Sequence, residues 1–172
     1  MRDFIECASD KVAEHLRARQ SYLGLLQRLG TTSEEWFRVE LLSVFDSLQG
    51  VTIEATNQRV GTDKERPDFS LQIQGRPLRI ELKVLPQNAH YQSGWGRFQA
   101  VPNNNKDFMN LVSGERQGII YVHWPSPKDW RQCRKRILEK YAVECVREDS
   151  LPCCAAHSVV ISYWQKRKLV PK

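Results

Sequence analysis

Residues 66–83 read Arg-Pro-Asp-Phe-Ser-Leu-Gln-Ile-Gln-Gly-Arg-Pro-Leu-Arg-Ile-Glu-Leu-Lys. Three side chains in this stretch could do chemistry together: the carboxylates of Asp68 and Glu81 and the amine of Lys83. Two nearby carboxylates repel, and each resists ionising unless a cation sits between them. A hard divalent cation such as Mg²⁺ takes oxygen ligands and keeps several of its waters. Held there, it would polarise a phosphoryl oxygen and acidify an attached water. Lys83 would orient that water or offset the charge that builds on the phosphate. The chemistry that uses such a set is hydrolysis of a phosphodiester bond.

The flanking pattern predicts how these groups meet. Residues 68–73 alternate, with Phe69, Leu71 and Ile73 on one side, as in a half-buried strand. Residues 77–85 alternate likewise, with Leu78, Ile80, Leu82 and Val84 on one face and Arg79, Glu81 and Lys83 on the other. A short turn at Gln74-Gly75-Arg76 makes the two strands antiparallel, so Asp68 can lie beside the end of the second strand.

Pro67-Asp68 followed by Glu81-Leu82-Lys83 resembles the signature of the PD-(D/E)xK nuclease superfamily, which has the restriction-endonuclease-like fold. The resemblance covers about residues 33–124 and takes in the final strand. It implies that Asp68 and Glu81 are metal ligands, that the main-chain carbonyl of Leu82 is a further ligand, and that Lys83 is the catalytic lysine. The expected cofactor is Mg²⁺, with Mn²⁺ able to substitute, and the expected nucleic acid is DNA, with RNA left open. In many superfamily members a helix before the first core strand adds a glutamate to the metal site, and Glu40 is the candidate here.

Around the hairpin, periodicity predicts the scaffold. Residues 3–29 read as one or two helices, bent near Gly24. Residues 33–48 read as a helix with Trp36, Val39, Leu42 and Phe45 in one stripe, capped by Thr32 or Ser33. Residues 51–56 form a strand by their β-branched alternation. Residues 106–112 form a short helix, and the apolar run 118–124 suits a strand buried on both faces. A helix is expected over 128–148 and a last strand over 158–164. A helix between the hairpin and a buried strand implies a crossover. The expected fold is therefore α/β, a central mixed sheet flanked by helices. It forms a single domain over 1–172, with a helical extension at 1–30 and a core at 33–172.

Charge points to a polyanion. The net charge is +6, and residues 115–172 hold 12 Lys/Arg against 6 Asp/Glu, so the whole excess lies there. Contacts of such a region with phosphates would release condensed counterions. The residues named for it are Arg131, Arg134 and Lys135 on the expected 128–148 helix, and Lys166, Arg167 and Lys168 in the tail. Trp95 and Arg97, between glycines in the polar stretch 87–105, could stack on bases or grip a phosphate.

The chain opens without an apolar signal core and has no apolar run of membrane-spanning length. A cytoplasmic protein with reduced thiols is expected. Cys153, Cys154 and His157 lie close in sequence, but adjacent cysteines do not match usual zinc spacing. The expected function is a divalent-metal-dependent nuclease, foremost a DNA endonuclease. A homodimer is the arrangement that site-specific double-strand cutting would need. The alternative is a catalytically inactive module of the same fold that binds nucleic acid or serves assembly. A small protein–protein adaptor is a third reading. Asp68→Ala and Lys83→Ala are expected to abolish cleavage while sparing fold and DNA binding.

Overall fold

The computed structural model describes residues 2–29, 34–56, 67–85, 105–123, 130–154 and 157–167. Helices α1 (Arg2–Arg17), α2 (Gln20–Leu29) and α3 (Glu34–Asp46) precede strands β1 (Val51–Thr56), β2 (Phe69–Ile73) and β3 (Arg76–Leu85). Helix α4 (Asn105–Ser113), strand β4 (Gly118–His123), helix α5 (Trp130–Lys140) and strands β5 (Val143–Cys154) and β6 (His157–Lys166) follow. Among the described residues no helix is long and apolar enough to cross a membrane.

The six strands form one mixed sheet in the order β1-β2-β3-β4-β6-β5. Only the β3–β4 pairing is parallel, and α4 lies in the connection that it requires. The β2–β3 hairpin turns at Gln74 and Gly75, whose φ angles are 51° and 77°. Ile73 pairs with Arg76 across them. Two consecutive positive φ values fit the tight turn whose twist matches antiparallel strands, and the glycine adopts its value without steric cost.

Helices cover both faces. Ile5, Val12 and Leu16 of α1 and Phe37, Leu41 and Phe45 of α3 pack on Phe69, Leu71, Ile80, Leu82, Val122 and Ile161. On the opposite face Phe108 and Leu111 of α4 and Ile137 of α5 pack on Ile119, Tyr121 and Trp164. All six residues of β4 are buried, as expected for a strand between two layers.

Three expectations are corrected. The buried stripe of α3 runs through Phe37, Leu41, Val44 and Phe45, and Val39, expected in it, is 63% exposed. The 128–148 helix ends at Lys140, and Val143–Cys154 is an edge strand paired with β6. Val143, Leu151 and Cys153 turn inward along it. Its charged residues hid a strand whose period is broken by a register shift between Cys145 and Arg147. The N-terminal helices break at Ala18-Arg19, not at Gly24, which lies inside α2. Trp95, Arg97, Lys168 and the capping residues Thr32 and Ser33 lie outside the described residues.

Candidate functional site

The site is built where β3 outruns β2. The register of the hairpin ends at Phe69 opposite Ile80. Backbone groups alternate edges along a strand. The carbonyl of Arg79 accepts from the Gln117 N–H on the β4 side, so Leu82 and Val84 present theirs toward the side of β2. There the N–H of Leu82 donates to Asp68 Oδ2 at 2.8 Å, and the N–H of Val84 donates to Glu34 Oε2 at 3.4 Å. Two carboxylates thus take the place of a strand. The Leu82 carbonyl belongs to the same edge.

Glu81 and Lys83 alternate with these residues and share the face of their β4 partners Ile119 and Tyr121. Lys83 Nζ lies 3.2 Å from Glu81 Oε1, and Arg116 Nε donates to Glu81 Oε2 at 3.3 Å. From α3, Arg38 Nη2 donates to Asp68 Oδ1 at 2.8 Å and lies 3.4 Å from Glu34 Oε1. Its Nη1 binds Glu35. Glu34 and Arg38 share a helix face because they are four residues apart. Asp68, Arg38 and Arg116 are buried, whereas the Glu34 and Glu35 side chains are 37% and 75% exposed, so the network is withdrawn from water around Asp68 and meets solvent at the start of α3.

Its electrostatics follow from burial and like charge. Burial raises the pKa of Glu34, the Asp68 charge adds to the rise, and Lys83 opposes it. Burial and the Asp68 charge likewise raise Glu81, against the pull of Lys83. Burial alone would lower the Lys83 ammonium. The charges of Glu81, Asp107 and Glu34 outweigh it, so its pKa ends above the usual lysine value. Lys83 is therefore a cation at neutral pH.

Among the described residues no group of three or more His, Cys, Asp or Glu side chains is gathered as a ready metal cage. The donor chemistry nevertheless suits a hard cation. Asp68 and Glu81 are oxygen donors whose negative charges disfavour each other. A carboxylate offers about four lone-pair positions, and the two contacts to Asp68 leave room for another. An ion that keeps its waters needs few protein ligands.

The structure thus brings Asp68, Glu81, Leu82 and Lys83 together. It does not bring Glu40. That residue lies about 240° around α3 from Glu34 by helical geometry. Its Oε2 lies 2.6 Å from both His15 Nε2 and Arg19 Nε. The helix glutamate at the site is Glu34, in the first turn of α3. Arg38 and Arg116 were also missed. The spacing of Glu34 and Arg38 was the available signal. Arg116, 35 residues from Glu81, had none.

The basic residues do not converge. Lys135 is exposed and pairs with Glu139, and Arg134 lies 3.8 Å from Glu148. Lys166 pairs with Val143, beyond the Ile119–Trp164 pair. That places Lys166 and Arg167 toward the start of β4, whereas Lys83 pairs with Tyr121 further along it. Arg131 lies in the first turn of α5. Cys153 is buried in the apolar core, and burial pushes the Cys145 thiol up to about 11. Comparison with protein-family models, curated proteins and solved structures finds no match to this chain.

Proposed function

We propose that this protein is a divalent-metal-dependent phosphodiester hydrolase, a nuclease with the restriction-endonuclease-like core, acting foremost on DNA as an endonuclease. The observation that carries this reading is the meeting of Asp68, Glu81 and Lys83 around the end of the β2–β3 hairpin. Asp68 and Glu81, with the Leu82 carbonyl, would hold Mg²⁺ or Mn²⁺. When bound, that ion supplies Lewis-acid polarisation of a phosphoryl oxygen and a water of lowered pKa.

The chain's own residues supply the rest. The Leu82 N–H and Arg38 fix the plane of Asp68. Arg116 and Lys83 hold Glu81 from two sides. Lys83, 26% exposed at its side chain, keeps a charged amine where it can stabilise the negative charge of a pentavalent transition state. Lys135, Lys166 and Arg167, which do not gather at this site, would contact the phosphate backbone away from the scissile group, and a homodimer would let two sites cut both strands.

The test is cleavage of linear, supercoiled, single-stranded and branched DNA, and of RNA, with Mg²⁺ and with EDTA. Metal-dependent cleavage that Lys83→Ala abolishes is expected. Cleavage that survives in EDTA or in Lys83→Ala refutes the assignment. A second reading is a binding module that keeps this fold without turnover. It is favoured by Arg38 and Arg116, which already set a cation against Asp68 and Glu81. Salt-dependent DNA binding without cleavage of any substrate would select it.

A further inference from the structure

Arg38 has more to do than an ordinary surface arginine on a helix. Its guanidinium touches three carboxylates: Glu35 and Glu34 on its own helix and Asp68 at the head of β2. It is 8% exposed, and its Nε is buried with no hydrogen-bond partner among the described residues. A purely structural clamp would be expected to use that donor, since a dry N–H is costly. The guanidinium is placed instead by the acids it faces. Asp68 raises the electrostatic burden on both Glu34 and Glu81, so these acids need positive charge nearby to stay together.

We propose that Arg38 is the resident counter-cation of the acidic site. It holds Asp68 and Glu34 together against their repulsion, and a divalent ion entering the site competes with it. This rests on the hydrolase reading above, and makes Arg38 a positioning residue that sets metal affinity. Two like-charged cations a few ångströms apart in a partly buried site oppose each other strongly. Removing the guanidinium therefore strengthens metal binding while weakening the metal-free fold. Had Arg38 only braced the ligands, its loss would weaken both.

The experiment measures Mn²⁺ binding by titration calorimetry, without nucleic acid, to the full chain and to Arg38→Gln, Arg38→Lys and Asp68→Asn. Thermal unfolding with and without Mn²⁺ accompanies it. Arg38→Gln is expected to bind Mn²⁺ at least about tenfold more tightly than the parent. It should melt lower in EDTA and gain more from Mn²⁺. Arg38→Lys keeps the charge and should stay closer to the parent than Arg38→Gln does. If Arg38→Gln is unfolded in EDTA, recovery of cooperative unfolding on adding Mn²⁺ supports the proposal equally. Arg38→Gln affinity equal to or weaker than the parent overturns it, as does a chain that stays unfolded in saturating Mn²⁺. Loss of Mn²⁺ binding in Asp68→Asn, together with metal-dependent cleavage by the parent, would leave the hydrolase reading standing in that case. No Mn²⁺ binding by any of these proteins, with no cleavage, defeats both.

Discussion

Glu34 and Glu40 leave the same helix and meet opposite company. Glu40 is one acid held by two bases, His15 and Arg19, each 2.6 Å from the same oxygen. Its job is complete as it stands: it pins the end of α1 to α3. Glu34 shares Arg38 and Lys83 with the neighbouring acids Asp68 and Glu81, and burial and the Asp68 charge still raise its pKa. A surplus of bases marks a structural tie, while crowded acids mark a place still open to a cation. The contrast teaches that carboxylate chemistry is told by the company a side chain keeps rather than by its helix or its residue type.

Substitutions can break or sharpen that contrast. The largest effect is expected from Asp68→Ala. It should abolish cleavage and also cost about 3–5 kcal/mol of stability, because it leaves the buried Arg38 charge without its partner and the Leu82 N–H without an acceptor. The sequence-based expectation that this variant would spare the fold is thus revised, and urea unfolding decides it. Asp68→Asn keeps the shape and should lose activity with less damage. Lys83→Ala should lower cleavage by about 10²–10⁴-fold while shifting stability by under about 1 kcal/mol, since the amine is partly exposed. A variant retaining a tenth of the parental rate would argue against its role.

Glu40→Gln should do the reverse. A loss of about 1.5–3 kcal/mol is expected from weakened hydrogen bonds to His15 and Arg19, with the cleavage rate unchanged within about twofold. A collapse in activity with intact stability would return Glu40 to the site. A smaller signal lies in pH. The raised pKa values of Glu34 and Glu81 mean that the native state holds these protons more tightly than the unfolded state. Their contribution is present at low pH and lost as pH rises above about 4.3 through the native values. Glu34→Gln and Glu81→Gln should each flatten that fall on the side above the unfolded carboxyl value. Unfolding midpoints across the range, measured without metal, test it. The smallest effect belongs to exposed Lys135. Its loss should reduce the salt slope of DNA binding by at most about one unit.

Much of this was legible in the sequence because local period and long-range pairing agreed. The hairpin needed only alternation and a glycine turn, and β4 only an unbroken apolar run. Asp68, Glu81 and Lys83 followed from that register. The C-terminal edge strand was not legible. Glu144, Arg147 and Glu148 imitate a solvated helix face, and the irregularity after Cys145 interrupts the alternation that would have disclosed pairing. The error over Glu40 had another origin. Both glutamates lie on a helix whose buried face is Phe37, Leu41, Val44 and Phe45 rather than the stripe through Val39, and which face meets the hairpin depends on how α3 lies over the sheet, which no local pattern encodes. Arg116 was hidden for the same reason: a turn residue becomes a partner of Glu81 only once the parallel crossover closes.

The packing of α1 has a consequence for how the chain reaches this state. Ile5, Ala8, Val12 and Leu16 are sealed in a core that also contains Leu151 and Cys153 of β5, and Asp10 grips Arg147 at 2.6 Å. Helix α1 is made well before β5, so the part of its apolar stripe that meets Leu151 and Cys153 stays uncovered until that later strand arrives. Such distant partners slow folding and expose sticky surface meanwhile. Nascent chains halted before residue 143 should bind chaperones strongly, and release should coincide with emergence of the closing hairpin.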